Sequence, residues 1–237
     1  MAALSREPQA IVLVPGLGAT PVFYEAQLPA LWSFGPVMFA DHRRDDSMAG
    51  IAQRILSSAP ARFALVGHSM GGYIALEIMR QAPGRVARLA LLDTSARPDT
   101  AEQSERRRSQ IAIAAGGRMK AIVELQFPVL VHPSRRMDAD LRRGTEQMVE
   151  QTGAEAFIRQ QTAIMGRPDS RPTLRSIGCP TLVLVGEQDE VTPPDRAREI
   201  AEGIAGARLV TVPVCGHMCA MEQPQQVTQE LARWLEA

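Results

Sequence analysis

Six short runs rich in Val, Ile, Leu and Phe, each bounded by Gly, Pro or Asp, recur at residues 10–14, 36–40, 63–66, 89–92, 181–185 and 208–212. They are continuous rather than alternating, the pattern of strands buried on both faces. Stretches with helical spacing at 48–57, 72–81, 194–204 and 224–235 separate most of them. A crossover between parallel neighbours takes a dozen or more residues, and a helix fills it, so this order predicts a mostly parallel open sheet flanked by helices. The expected fold class is α/β.

One interval breaks the rhythm. Between residues 97 and 172 no strand pattern occurs, and amphipathic runs at 101–115, 118–131, 139–151 and 154–165 are punctuated by Gly116, Gly117, Pro133, Gly153 and Pro168. Such punctuation predicts about four helices inserted into the α/β frame. With 237 residues, 45% of them hydrophobic, the chain fits a single domain carrying an insertion. The expected division is a core of residues 1–96 and 173–237, with 97–172 as the inserted helical unit.

Charge and cysteine content exclude several partner classes. The 26 basic residues balance 26 acidic ones, so no whole-protein field gathers nucleic acid. Lys120 is the single lysine, and the short arginine clusters read as solvated faces. No stretch is long and apolar enough to cross a bilayer, and residues 1–9 lack the apolar run of a secretory signal, so a cytoplasmic protein is expected. Cys215 and Cys219 flank His217, but with Cys179 as the third cysteine they form neither a disulfide framework nor a zinc pattern, and they read as small buried residues.

The chemistry-bearing motif is Gly67, His68, Ser69, Met70 and Gly71, G-x-S-x-G, with the apolar run 63–66 leading into it and a helical run leaving at Gly72. A strand turning this sharply into a helix leaves the serine at its tip in a strained conformation, where flanking side chains would collide; hence Gly67 and Gly71. The helix start beneath it offers unpaired N–H groups to an oxyanion, Met70 first. An inert serine in a glycine-rich turn is the competing reading.

Gly-His-Ser-Met-Gly-Gly resembles the nucleophile elbow of the α/β-hydrolase family, and the resemblance extends over residues 10–96 and 173–236. It implies Ser69 as nucleophile, a following Asp or Glu, then a His, on about six strands in the order 2-1-3-4-5-6, an abbreviated family sheet. His217, in the loop after the sixth run, is the implied base, with His132 inside the insertion as rival. Asp189, after the fifth run, is the implied acid, with Glu187 and Glu190 beside it and Asp93 as rival. The second oxyanion donor is Leu17 N–H, in a loop where Pro15 stands in place of the family's usual His. His68 is expected to pack behind the elbow and His42 to have no catalytic role.

The resemblance further implies that the insertion caps Ser69, with Phe127, Val131, Phe157 and Met165 lining a small pocket together with Phe23 and Val191; packing inside the cap is the bland alternative for each. The implied activity is hydrolysis of a small to medium carboxylic ester or related acyl compound through an acyl-enzyme, with a small molecule and water as partners and with no cofactor or metal. Lactone opening, thioester cleavage, carbon–carbon bond hydrolysis and cofactor-free perhydrolysis use the same residues. A non-catalytic ligand-binding relative is the reading from another class. A serine at the elbow speaks against the dehalogenase and epoxide hydrolase branches.

Overall fold

A computed structural model describes residues 9–237 of the chain; residues 1–8, part of the expected core and of the stretch read as lacking a secretory signal, lie outside the described residues. The elements run β1 (Ile11–Val14), a 3₁₀ segment Pro21–Gln27 leading into the short α1 (Leu28–Leu31), β2 (Val37–Phe39), α2 (Met48–Ser58), β3 (Phe63–His68), α3 (Met70–Gln81) and β4 (Val86–Leu92). There follow α4 (Ala101–Ala115), α5 (Met119–Leu130), α6 (Ala139–Thr152), α7 (Ala154–Met165) and α8 (Arg171–Leu174). The chain closes with β5 (Thr181–Gly186), α9 (Pro194–Gly203), β6 (Arg208–Val212), α10 (Cys219–Glu222) and α11 (Pro224–Glu236).

All six strands pair in parallel, in the order β2-β1-β3-β4-β5-β6, as the sequence predicts. Alternation along each strand sends Val12, Val14, Leu65, Leu91 and Val185 to one face, under α2, α3 and α9. Ile11, Leu13, Val66, Leu92 and Leu184 go to the other, against α11 and the segment around Phe23 and Tyr24. Central strands with both faces covered need no polar side, which is why β1, β3 and β5 are buried along their whole length and carry only His68 and Thr181 as polar side chains, each at a strand end. The outer strands depart from the expectation of full burial. β2 is half-buried, and in β6 only Val212 is buried, because an edge strand lacks a neighbour on one side.

The inserted stretch forms four main helices, α4–α7, with ends set by local chemistry. Thr100 and Gln103 make a reciprocal capping box at the start of α4, and Asp138 accepts two backbone N–H groups at the start of α6. Gly153, at φ 75°, separates α6 from α7. The segment Pro21–Gln27 and the short α1, α8 and α10 carry too few turns for periodicity to betray them. Among the described residues no helix is long and apolar enough to cross a membrane.

Candidate active site

In a parallel sheet every strand delivers its following loop to the same edge. Here that edge receives Pro15–Gly18 after β1, Ser69 after β3, Asp93 after β4, Asp189 after β5 and His217 after β6. Among the described residues three non-glycine ones have positive φ, namely Ser69 (53°), Asp93 (43°) and Val214 (52°), and all three lie in these loops. Backbone strain of this kind persists only where the surroundings over-determine it.

The surroundings of Ser69 do so. Its N–H donates to Leu92 O at 2.9 Å, and its carbonyl accepts the Thr94 hydroxyl at 2.7 Å. A Cβ on Gly67 would lie 2.3 Å from Gly71 O, and one on Gly71 would lie 2.0 Å from Val14 O, so strand, turn and helix close on one another only without those side chains. The serine hydroxyl then meets His217 Nε2 at 2.8 Å, and His217 Nδ1 meets Asp189 Oδ2 at 2.8 Å. Ser69, His217 and Asp189 are thereby brought together.

The acid is anchored by its own loop. Asp189 Oδ1 accepts Val191 N–H at 2.8 Å and Thr192 N–H at 2.9 Å, while Oδ2 accepts the Thr192 hydroxyl at 2.7 Å. Burial works to raise the Asp189 pKa, but the facing charge of His217 and these hydrogen bonds outweigh it and hold the carboxyl below its usual value. For His217 burial opposes protonation, yet the charge and hydrogen bond of Asp189 lift the imidazole above its ordinary 6.5. The rival Asp93 does not reach His217. Its Oδ1 accepts Gly186 N–H at 2.8 Å, its Oδ2 lies 3.8 Å from His68 Nε2 with no hydrogen-bond partner among the described residues, and burial together with the like charge of Asp189 pushes it up to about 8. The ring of the rival His132 bonds Ser134 at 2.8 Å.

His68 is neutral and structural in its contacts. Its Nε2 donates to His217 O at 2.8 Å, its ring stacks on Phe23, and burial with the nearby His217 charge brings it down to about 3. Glu222, which the sequence gives no reason to single out, ties down the histidine loop: its carboxylate accepts N–H groups of Gly216, Met218 and His132. Cys215 and Cys219 are buried thiols whose pKa burial raises.

Leu17 and Met70 carry backbone N–H groups that donate to no protein acceptor among the described residues, and both flank Ser69's edge of the sheet. The loop bearing Leu17 lacks a histidine at position 15, and two distant side chains brace it instead. His42 Nε2 donates to Gly16 O at 3.0 Å, and Gly18 N–H donates to Gln160 Oε1 at 3.0 Å. Gln160 Nε2 in turn reaches His42 O at 3.5 Å. His42 is buried and its pKa lowered by that burial, which suits a neutral ring donating through Nε2. Neither residue carried a sequence signal for this task.

Ser69, His217 and Leu17 open onto a cavity of about 640 Å³, within the usual range for small-molecule sites. Of the six expected pocket residues Val191 lies on its wall. The other five need correction. Phe23 packs behind the elbow on His68 and Tyr24, Phe127 lies under the Arg142 guanidinium in the core, and Val131 is buried beside them. Phe157 packs with Ala114 and Ile122 between inserted helices, and Met165 is half-buried away from the cavity. Large apolar residues on a helix go first to the helix–helix interface, which takes most of their burial energy. The wall instead uses Leu125, Val129, Met148 and Val149 with several polar side chains. Among the described residues no cluster of three or more His, Cys, Asp or Glu is placed to hold a metal ion.

A six-stranded parallel sheet with a serine on a strained turn after its third strand defines the class of α/β hydrolases. A model of the alpha/beta hydrolase family matches residues 11–230, and the chain belongs to that family. It is similar to a thermophilic esterase from Thermogutta terrifontis, solved with malate bound, at 30% identity and a TM-score of 0.87, over 96% of this chain and 89% of that one. RutD of Klebsiella pneumoniae (strain 342), provisionally named a carbamate hydrolase, is 30% identical over 88% of this chain and 84% of its own. The enol-lactonase of Burkholderia xenovorans LB400 shares the fold, with a TM-score of 0.87 at 24% identity over 99% of this chain and 94% of that one.

Proposed function

We propose that the chain is a serine hydrolase that transfers an acyl group to water through Ser69, acting on small to medium carboxylic esters or related acyl compounds. The observation that carries this reading is the unbroken relay of two 2.8 Å hydrogen bonds from Ser69 Oγ through His217 to Asp189. A serine hydroxyl is a poor nucleophile until a base removes its proton, and the base needs an acid to fix its tautomer. His217 Nε2 takes the proton as Ser69 attacks the carbonyl, then delivers it to the leaving alcohol. Water, deprotonated by the same nitrogen, releases the acid and frees Ser69.

The Leu17 and Met70 N–H groups hold the oxyanion, with the positive end of the α3 dipole behind them. Residues 97–172 act as a cap that closes the cavity over the reacting atoms, in a cytoplasmic enzyme. The esterase and carbamate hydrolase names of the two relatives at 30% identity agree with hydrolysis at an acyl carbon. Hydrolysis of a panel of 4-nitrophenyl esters, lactones and thioesters tests the reading. Ser69→Ala should lower kcat on every hydrolysed member by about 10⁴- to 10⁶-fold, and a variant retaining ester hydrolysis would contradict it.

A further inference from the structure

One wall of the cavity carries a buried ionic cluster with an excess of positive charge. Asp99, whose side chain is 1% exposed, is shared by two guanidinium groups: Arg107 donates through Nε and Nη2, and Arg167 through Nη1 at 2.5 Å. Among the described residues no other carboxylate lies within ion-pair distance of either arginine, so the trio keeps one excess positive charge. Arg107 spends its remaining terminal nitrogen on Gln161. Arg167 spends Nε on Arg97 O, but its Nη2 has no acceptor among the described residues. Its side chain is only 6% exposed, and it lines the same cavity as Ser69. A buried cation is tolerated at low cost only when a partner completes it.

The guanidinium lies 4.2 Å over the ring of Tyr73, which also faces the cavity. Tyr73 follows Ser69 by one turn of α3, an axial step of about 6 Å. Ser69 and Arg167 therefore line one cavity, with Tyr73 joining the helix that follows the serine to the guanidinium. The other arginines at the cavity have carboxylate partners of their own: Arg97 is held by Glu199, Arg196 by Asp195, and the exposed Arg106 lies 4.0 Å from Glu102. The mouth carries exposed Leu125, Val129 and Val191, suited to the apolar part of a substrate.

We propose that this site takes acyl compounds bearing a second, ionised carboxylate, and that Arg167 binds that carboxylate while Ser69 attacks the acyl carbon. The inference rests on Ser69 being the nucleophile, but its binding half can be read without turnover. A lysine keeps the charge but cannot hold Asp99 and Arg97 O while also presenting a donor as Nη2 does, which sets the order of the variants.

Two measurements on the full chain test it. The first compares kcat/KM for the 4-nitrophenyl monoesters of glutaric and adipic acids with that for the neutral pentanoate and hexanoate. Wild type should favour the charged esters, Arg167→Met should lower that ratio by about tenfold or more, and Arg167→Lys should retain part of it. The second titrates glutarate into the protein by calorimetry: wild type should bind it and Arg167→Met should not. An unchanged ratio, with both esters slowed equally in Arg167→Met, would show a purely structural arginine and overturn the proposal, as would wild type that ignores glutarate. Glutarate binding that depends on Arg167, in a protein whose Ser69→Ala variant hydrolyses as fast as wild type, would instead sink the acyl-enzyme reading and leave the anion site standing.

Discussion

At the sheet's carboxyl edge Ser69, Asp189 and His217 are placed by backbone. Leu92 O receives Ser69 N–H, Val191 and Thr192 N–H groups converge on Asp189, and glycine Cα atoms touch carbonyls that would clash with any side chain. Across the cavity the helices α4–α7 meet that edge largely through side chains and helix ends: Gln160 accepts Gly18 N–H, and Leu130 O receives His217 N–H. The first region fixes its residues through geometry that tolerates no substitution. The second supplies contacts that shape and brace, where one side chain can be exchanged at limited cost. Variants should therefore act steeply at the edge and gently in the insertion.

The steepest expected effect after loss of the serine itself is Asp189→Asn, which should lower kcat about 10⁴-fold, because the imidazole loses its fixed tautomer and its counter-charge. The same variant carries a pH signature. His217 must be neutral to accept a proton, so kcat/KM falls as pH drops through its pKa. Asp189 lifts that pKa above 6.5, so wild type should lose activity on an acid limb above 6.5, and Asp189→Asn should move the limb to lower pH. A limb that does not move would separate Asp189 from the base.

Gly71→Ala should come next. A methyl 2.0 Å from Val14 O forces the elbow apart, and the cost should exceed about 4 kcal/mol in urea unfolding or abolish folding. In the insertion, Gln160→Leu should lower kcat by about tenfold with a smaller loss of stability, since it frees the loop bearing Leu17 without removing the donor itself. If it matched the effect of Asp189→Asn, the contrast between the two regions would fail. Leu125→Ala, at an exposed position on the cavity mouth, should shift stability by less than about 0.5 kcal/mol and register only in KM for longer acyl chains.

The same contrast explains what could be read from the chain. Continuous apolar runs and helical spacing specify strand and helix because their period is local, and the parallel order follows from the crossovers. Gly67, Ser69 and Gly71 were legible because a sharp strand-to-helix turn demands those residue types in that spacing. Asp189 and His217 were legible because parallel strands bring their loops to one edge. Phe127, Val131 and Phe157 misled because an apolar residue on an amphipathic helix declares burial, not what it is buried against. Gln160, His42 and Glu222 were invisible because each acts through a partner distant in sequence, Gly18, Gly16 and His132 respectively, and no periodicity marks such a bond. Arg167 was hidden among arginines that do lie on solvated faces.

The central claim is that Ser69 becomes covalently acylated. Fluorophosphonate labelling of the folded protein, followed by peptide mass spectrometry, reads this directly. The account predicts a single adduct on the peptide containing Ser69, formed at a rate that collapses in His217→Ala. An unmodified Ser69 in protein that still hydrolyses esters, or an adduct on another residue, would contradict it.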